Sequence, residues 1–294
     1  MTITLRRGGR ALARELVSPL DTWTGRAPLL DQVHSGDIGW HLRLDDTQVE
    51  DAFLLWERDG RPVAVALAEG DVLRTAVDPD LDRDHELAEA LADCFVGFRY
   101  VDALGGTAVR RLLVGRGWTV DPDPWVLLHR EFTEADATRA DPDTRPLDGE
   151  AEVAARVAVQ RSAFAPGSTF TAERWHQMTT GPTYDPRFEM VTWTPDGQPA
   201  AAATGWFAGP GRCAILEPVG THADHRRPGY GTRANLGVMA AFARAGASAV
   251  RVATPASNTA AVAAYESCGL RHVEWSTALV RPEPRGQAAP TRHV

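Results

Sequence analysis

At positions 225–231 the chain reads "HRRPGYG", and "TRANLGVMAAFARAG" follows without a break. Two arginines and two glycines one residue apart concentrate positive charge and bare backbone in a single turn. Glycine leaves the backbone approachable and tolerates unusual φ/ψ. The first N–H groups of a helix have no intrahelical partner, and the helix dipole adds partial positive charge there. Together these suit a phosphate, and a pyrophosphate best. Taken alone, Gly-x-Gly reads equally well as a surface turn. A second set lies downstream. Asn258, Ala261 and Tyr265 are spaced i, i+3, i+7 and share one helical face. Glu217 precedes Val219 by two residues, so the two side chains share one strand face.

The flanking elements place the loop. "CAILEPVGTH" (213–222) reads as a buried strand, and 232–245 carries Leu236, Val238, Met239 and Phe242 at helical spacing. The basic glycine loop therefore joins a strand end to a helix start, a context that favours the phosphate reading over the turn. It matches neither GxxxxGK[ST] nor a GxGxxG with its third glycine, so a nucleotide-type phosphate loop is disfavoured.

The order of elements repeats. "LLWERDGRPVAVALAEGDVLRTAVDPD" (54–80) and "MVTWTPDGQPAAAATGWFAGPGRCAILEPVGTHAD" (190–224) are apolar runs around Asp-Gly turns, and both turns are expected to be type I′ hairpins. "TAVRRLLVGRGW" (107–118) and "TAAVAAYESCGL" (259–270) are short helices stopped by Gly117 and Gly269, each followed by an apolar strand, "WVLLHREF" and "HVEWSTALV". Three strands, a helix, a strand, a helix and a strand in each half predict two α+β domains of one type. The boundaries expected are 1–133, an acidic linker at 134–149, 150–281, and a flexible tail at 282–294. Composition agrees with two globular domains: 294 residues, 44% hydrophobic, 24% charged and a net charge of −8. That acidity argues against nucleic-acid or anionic-membrane partners. Cys94, Cys213 and Cys268 have no ligand-like spacing, and the start of the chain has no apolar leader. A cytoplasmic, metal-free protein, monomer or homodimer, is the expectation.

"THADHRRPGYG" (221–231) resembles the acyl-CoA signature V-x-P-x-x-[RQ]-x-x-G-x-[GA] of the GNAT acetyltransferase superfamily, with Arg226, Gly229 and Gly231 on its key positions. Thr221 and Ala223 replace the usual Val and Pro, at positions where the family uses mainly backbone. "NTAAVAAYESCGL" (258–270) resembles the family's second signature, N-x-x-[AS]-x-x-x-[YF]-x-x-x-G-[FL]. The resemblance covers 150–281, and the pairing of halves resembles mycothiol synthase and other tandem members. It implies two mixed, mostly antiparallel sheets flanked by helices, with acetyl-CoA as cosubstrate and a small-molecule primary amine as acceptor. Val219, Gly220 and Thr221 would bind the pantetheine arm, and Arg226, Arg227, Pro228, Gly229, Tyr230, Gly231 and Thr232 the pyrophosphate, with Asn258 and Ala261 on the CoA arm. In the first half, Asp82, Arg83, Asp84, His85 and Leu87 take the places of Arg226, Arg227, Pro228, Gly229 and Gly231, and Gly106 and Leu113 those of Asn258 and Tyr265. That half is expected to bind no CoA and to wall the acceptor pocket.

Acyl transfer to an amine needs a base, because an alkyl ammonium has a pKa near ~10.4. Glu217 is the first candidate, with a pKa lifted toward about 6–7 by partial burial. It also fits a solvent-facing strand end or an arginine's partner, and His222 and His225 are the runners-up. Tyr265, a phenol of pKa ~10, is the candidate proton donor to the leaving thiolate, or else a core aromatic. Cys268 reads as packing. Phe164, Phe170, Trp175, His176, Met178 and Tyr184, in the helical cover expected at 161–184, are candidates for the acceptor pocket or plain core, and Trp23, Trp40 and Trp56 read as core. A non-catalytic acyl-CoA sensor, another acyl-CoA, and a protein amine remain alternative readings.

Overall fold

Continuous apolar runs buried on both faces build a strand pair in the first half, and Asp59 and Gly60 turn the chain between them. Both have positive φ, 51° and 77°, as a two-residue type I′ hairpin requires. The matching Asp196–Gly197 turn differs. Only Gly197 has positive φ, and the loop is longer because the Thr194 hydroxyl donates to Asp196 (2.5 Å) and accepts from the Gln198 N–H (2.9 Å).

The computed structural model describes residues 2–26, 32–139 and 141–283; the tail from 284 lies outside them. The first half runs β1 (Ile3–Gly8), α1 (Arg10–Arg26), α2 (Ser35–His41), α3 (Asp46–Val49), β2 (Phe53–Arg58), β3 (Arg61–Glu69), β4 (Val72–Val77), α4 (His85–Phe95), β5 (Tyr100–Asp102), α5 (Ala108–Gly115), β6 (Thr119–Val120) and β7 (Trp125–Glu131). The second runs α6 (Glu134–Ala137), β8 (Thr144–Pro146), α7 (Val153–Ala163), α8 (Ala172–Thr179), β9 (Glu189–Trp193), β10 (Pro199–Trp206), β11 (Cys213–Thr221), α9 (Tyr230–Arg244), β12 (Ala249–Pro255), α10 (Thr259–Ser267), β13 (Arg271–Ser276) and β14 (Leu279–Val280). No helix among the described residues is long and apolar enough to cross a membrane.

Two seven-stranded mixed sheets result, β1-β2-β3-β4-β5-β14-β6 and β8-β9-β10-β11-β12-β7-β13. The orders correspond strand for strand, and each sheet has one parallel pair, β4 with β5 and β11 with β12. The halves exchange a strand. β7 follows the first half in sequence but pairs antiparallel with β12 from Ala249–Glu131 to Pro255–Trp125, and with β13 on its other side. β14 returns to fill the equivalent gap between β5 and β6. Their side chains go with them: Val126 and Leu128 sit in the second core and Leu279 in the first. Neither half therefore closes at a boundary near 133.

The segment expected as a linker is also structured. Asp136 closes a capping box on Thr133, and β8 extends the second sheet beside β9. The acidic residues there serve Arg233 of α9, which donates to Asp141 (2.5 Å) and Asp143 (2.6 Å).

Helix α2 belongs to the first half but lies on the second. Gly36 and Gly39 press against Trp206 of β10 so closely that a Cβ at either would overlap the indole. Trp206 also packs with Met178 and Ile215, and its indole N–H donates to the Glu217 carbonyl (2.6 Å). Gly36→Ala should overpack this contact and lower unfolding stability by about 1–3 kcal/mol. Denaturant unfolding monitored by tryptophan fluorescence measures this, and an unchanged midpoint would show that α2 has room to move.

Candidate active site

Strand β11 pairs with β12 only at Cys213–Ala249, Ala214–Val250 and Ile215–Arg251. Past Ile215 it stays with β10 while β12 stays with β7. The two parallel strands separate there, and Glu217 lies on the free stretch. In the first half β4 and β5 pair only from Val72–Tyr100 to Arg74–Asp102. Residues of both openings line one cavity of about 330 Å³, Glu217, Leu216 and Arg251 from the second half with Asp37, Glu69, Arg74 and Asp102 from the first.

The charges in this cavity control one another. Asp37 is 4% exposed and accepts from Arg74 Nη2 (2.9 Å) and from the His34 N–H (2.6 Å). Burial alone would push its carboxyl up, but the charges of Arg74 and then Arg251, with the His34 bond, bring it below the ordinary range. Glu69 likewise goes below it: burial is outweighed by His41 (3.5 Å) and Arg74 (3.7 Å). Glu217 moves the other way. Burial first, then the charge of Asp37 and a hydrogen bond shared with it, lift its carboxyl to about 8, Arg74 opposing. This exceeds the value expected from partial burial, because a second carboxyl stands beside it. His34 is pulled down to about 4 by burial and then Arg251. It is neutral and bridges the halves, its Nε2 3.0 Å from the Cys213 carbonyl and its Nδ1 accepting from the Gly36 N–H (2.9 Å).

Tyr265 is buried at 7% exposure in the core under α9 and does not line the cavity. Burial and then the charge of Glu217 raise its phenol above the ordinary value, so it stays protonated. Asn258 is exposed and caps α10 through a bond from the Ala261 N–H (3.2 Å). It stands just outside the helix as its N-cap, its side-chain carbonyl engaged with the helix, while Tyr265 is buried.

The glycine loop opens beside the far end of β11. Gly229 is left-handed (φ 88°), as is Arg227 (φ 87°), a conformation that costs a side-chain-bearing residue about 1–3 kcal/mol. No side chain caps the 15-residue α9, so the amides of Tyr230, Gly231 and Thr232 precede its first internal acceptor bond, Arg233 N–H to Gly229 O (3.0 Å). A Cβ on Gly231 would lie 2.6 Å from Thr221 Oγ1, and one on Gly220 2.7 Å from Ala163 Cβ. Val219, Gly220 and Thr221 thus run close under α7 and the start of α9. Arg226, Arg227 and Pro228 are exposed, with Arg226 reaching the Ala163 carbonyl (3.3 Å). Tyr230 stands edge-on to His225 and lies under Arg233, while Thr232 Oγ1 meets Ser267 Oγ of α10 (2.9 Å). These groups could hold a diphosphate through backbone and guanidinium donors.

The first half lacks that opening. The Asp84 carboxylate caps α4 by accepting from the Leu87 N–H (2.9 Å) and pairs with Arg58 (2.7 Å). His222 uses Nδ1 to cap the turn before the loop (3.3 Å), and neither it nor His225 lines the cavity. Nor does any of the six aromatic-cover residues. Phe170 and Met178 are buried, Phe164 and His176 exposed, and Trp175 and Tyr184 both donate to Glu189 (2.9 and 2.6 Å). Glu189 is the partner of the fully buried Arg156 (2.8 Å), so this cluster holds the cover in place. Trp23 and Trp56 are core, and Trp40 packs at the α2 interface. Cys268 is buried, its thiol pushed up by burial.

Asp37, Glu69, Arg74 and Asp102 were missed by the sequence reading. Their one legible signal is charge inside apolar runs, the Asp of "VHSGDIGWHL" and the Arg of "VLRTAV".

A native pKa of about 8 for Glu217 against ~4.3 for an exposed Glu means that the native state holds the proton longer. Stability linked to this group is therefore full at low pH and declines as pH rises toward 8. Glu217→Gln should be more stable than the parent at pH 8, by roughly 2–4 kcal/mol, with the gap closing near pH 4. Urea unfolding at the two pH values measures it, and a pH-independent difference would contradict the raised ionisation.

Comparison with known proteins places this geometry. Residues 158–270 match the acetyltransferase (GNAT) family. The chain resembles a GCN5-related N-acetyltransferase from Sphaerobacter thermophilus at 19% identity and TM-score 0.55, covering 95% of this chain and 96% of that one. It resembles a tandem GNAT protein from the clavulanic acid biosynthesis pathway at 12% identity and TM-score 0.56, covering 96% and 99%. A GNAT-family acetyltransferase from Colwellia psychrerythraea has 12% identity and TM-score 0.57, covering 95% and 99%. Among curated protein sequences none matches this chain. Residues 158–270 are thus similar to the GNAT acetyltransferase family, and the whole chain has the fold of two GNAT-type units in tandem.

Proposed function

We propose that the second half transfers an acetyl group from acetyl-CoA directly to the primary amine of a small molecule. The observation that carries this reading is the separation of β11 from β12. It leaves Glu217 on the inter-half cavity at one end of the free stretch, and the uncapped, glycine-lined start of α9 at the other. CoA diphosphate would meet the amides of 230–232 and the guanidinium groups of Arg226 and Arg227. The pantetheine arm would follow Val219–Thr221 as an added strand beside β11, and the thioester would come to lie near Glu217.

Glu217 takes one proton from the acceptor ammonium and passes it to solvent. The neutral nitrogen attacks the thioester carbonyl, a C–N bond forms and the C–S bond breaks. The second nitrogen proton ends on the CoA thiolate, with Tyr265 as donor in relay. The first half supplies the other wall of the acceptor cavity and, with Asp84 capping α4, binds no CoA of its own.

Calorimetric titration with acetyl-CoA, desulfo-CoA and ATP tests the cofactor assignment. One site for the two CoA ligands and none for ATP is expected. Gly231→Asp puts a carboxylate against the diphosphate and Thr221, and the loss of even one charge-assisted hydrogen bond, about 1.5–3 kcal/mol, weakens binding roughly 10- to 100-fold. Unchanged affinity would remove the loop from the site.

Steady-state acetylation of an amine library tests the chemistry. kcat/KM should rise with pH through an acidic limb near 8, where Glu217 ionises, and Glu217→Gln should abolish that limb and cost about 10²–10⁴ in rate. Tyr265→Phe should lower kcat with cofactor Kd unchanged. CoA binding without turnover of any amine would instead favour an acyl-CoA sensor.

A further inference from the structure

The proposed base does not stand on its own half of the molecule. We propose that Asp37, contributed by the first half, is the partner carboxyl of Glu217: the two share one proton across the inter-half cavity, and Asp37 is the positioning residue that holds it on Glu217 until an acceptor arrives. This rests on Glu217 being the base of the acetyl transfer described above.

Geometry carries the inference. Asp37 is the third residue of α2, and the docking of Gly36 and Gly39 on Trp206 fixes how far that helix reaches over β11. Trp206 in turn binds the backbone carbonyl of Glu217 (2.6 Å), so one indole anchors both the helix that carries Asp37 and the strand that carries Glu217. The Asp37 oxygens are assigned: one accepts from Arg74 (2.9 Å), the other from the His34 N–H (2.6 Å). A carboxyl fixed by a guanidinium and an amide N–H is an acceptor, so in a pair across the cavity that both residues line, the shared proton belongs to Glu217.

Every charged or titratable neighbour of Glu217 acts on this pair. From the first half these are Asp37 and Arg43 at the two ends of the α2 segment, Glu69 on β3, Arg74 on β4 and Asp102 on β5. From the second these are Arg251 on β12, which lines the same cavity, and the Tyr265 phenol of α10, which lies in the core and feels the charge of Glu217. Arg74 is held between Asp37 and Glu69, and Arg251 donates to the Gln32 carbonyl (2.6 Å). With one shared proton the pair carries a single negative charge, matched to one ammonium group. An ammonium entering the cavity favours the doubly ionised pair, and the Glu217 proton leaves to solvent, so the base is freed by the substrate that needs it.

The test is carboxyl NMR on the full chain, with no acceptor required. In ¹³Cδ-glutamate-labelled protein the Glu217 signal is the one lost in Glu217→Gln. It should titrate near pH 8, and in Asp37→Asn its midpoint should fall by about one pH unit or more, since removing a like charge eases ionisation. A purely structural Asp37 would lower the melting temperature and leave that midpoint in place, which would overturn the proposal. If Asp37→Asn does not fold, ¹³Cγ-aspartate labelling of the unmutated chain decides instead. An aspartate signal should step at the pH where Glu217 titrates and lose that step in Glu217→Gln, and no shared step would overturn the pairing. These titrations are separate from acetyl-CoA binding and turnover, so failure of the acetyltransferase reading would show there and not here.

Discussion

Strand pairing between the two halves is the constraint on which the rest of the molecule depends. β7 contributes a full seven-residue ladder to the second sheet, antiparallel to β12, while β14 plugs the matching slot in the first. An open gap between β12 and β13 would leave a row of buried amides and carbonyls unpaired, each costing free energy comparable to a lost hydrogen bond. The second sheet is therefore incomplete without a strand delivered from the first half. That requirement fixes the distance and angle between the two sheets, and with it the shape of the cavity between them. A pair of acids can face each other from two different units only where those units do not slide.

Two copies of one fold have taken opposite solutions at the same place. At the start of α4 the Asp84 carboxylate satisfies the orphan amides and neutralises Arg58. At the start of α9 Gly229 offers no such group, and the amides open beside two exposed arginines. A helix end needs an acceptor from somewhere, and the first half supplies its own where the second leaves room for one from outside. The parallel strands separate in both halves, yet only the second carries a carboxyl on the free stretch of its longer strand. In the first half that stretch holds Thr75, Ala76 and Val77, and its charge sits one residue earlier, at Arg74.

Local chemistry was legible in the sequence; what crosses between halves was not. The glycine loop, the helix behind it, the Asp59–Gly60 turn and the duplicated order of elements follow from periodicity and from residues whose backbone preferences are narrow. Glu217 was visible because it sits on the strand that leads to the loop, two residues before Val219. The strand exchange was not visible, because "WVLLHREF" pairs equally well with either sheet as far as its own pattern goes. Asp37 and Arg74 were hidden for the same reason. Each is one charge in an apolar run, and its partner lies 180 or 37 positions away, Glu217 for the first and Asp37 for the second. The aromatic cover shows the converse error. Trp175 and Tyr184 look like pocket walls in sequence, but their polar edges are committed to the buried Arg156–Glu189 pair.

The charges around Glu217 are too numerous to be structural ballast. Burying several ionised groups is costly, and an apolar filling of the same volume is often as stable or more so. A helix that only needed to cover the second sheet could present leucine where Asp37 stands, with Gly36 and Gly39 still seated on Trp206. Arg74 would then have no reason to enter an apolar strand, nor would Glu69 be needed to balance it. The cluster is intelligible as a unit, with Arg74 holding Asp37 ionised, Asp37 holding the proton on Glu217, and Arg251 and His34 tying that arrangement to the second sheet. On the proposed reading the first half, its own helix start capped by Asp84, has a chemical task instead, the supply of the charge that sets when Glu217 would be free to act as base.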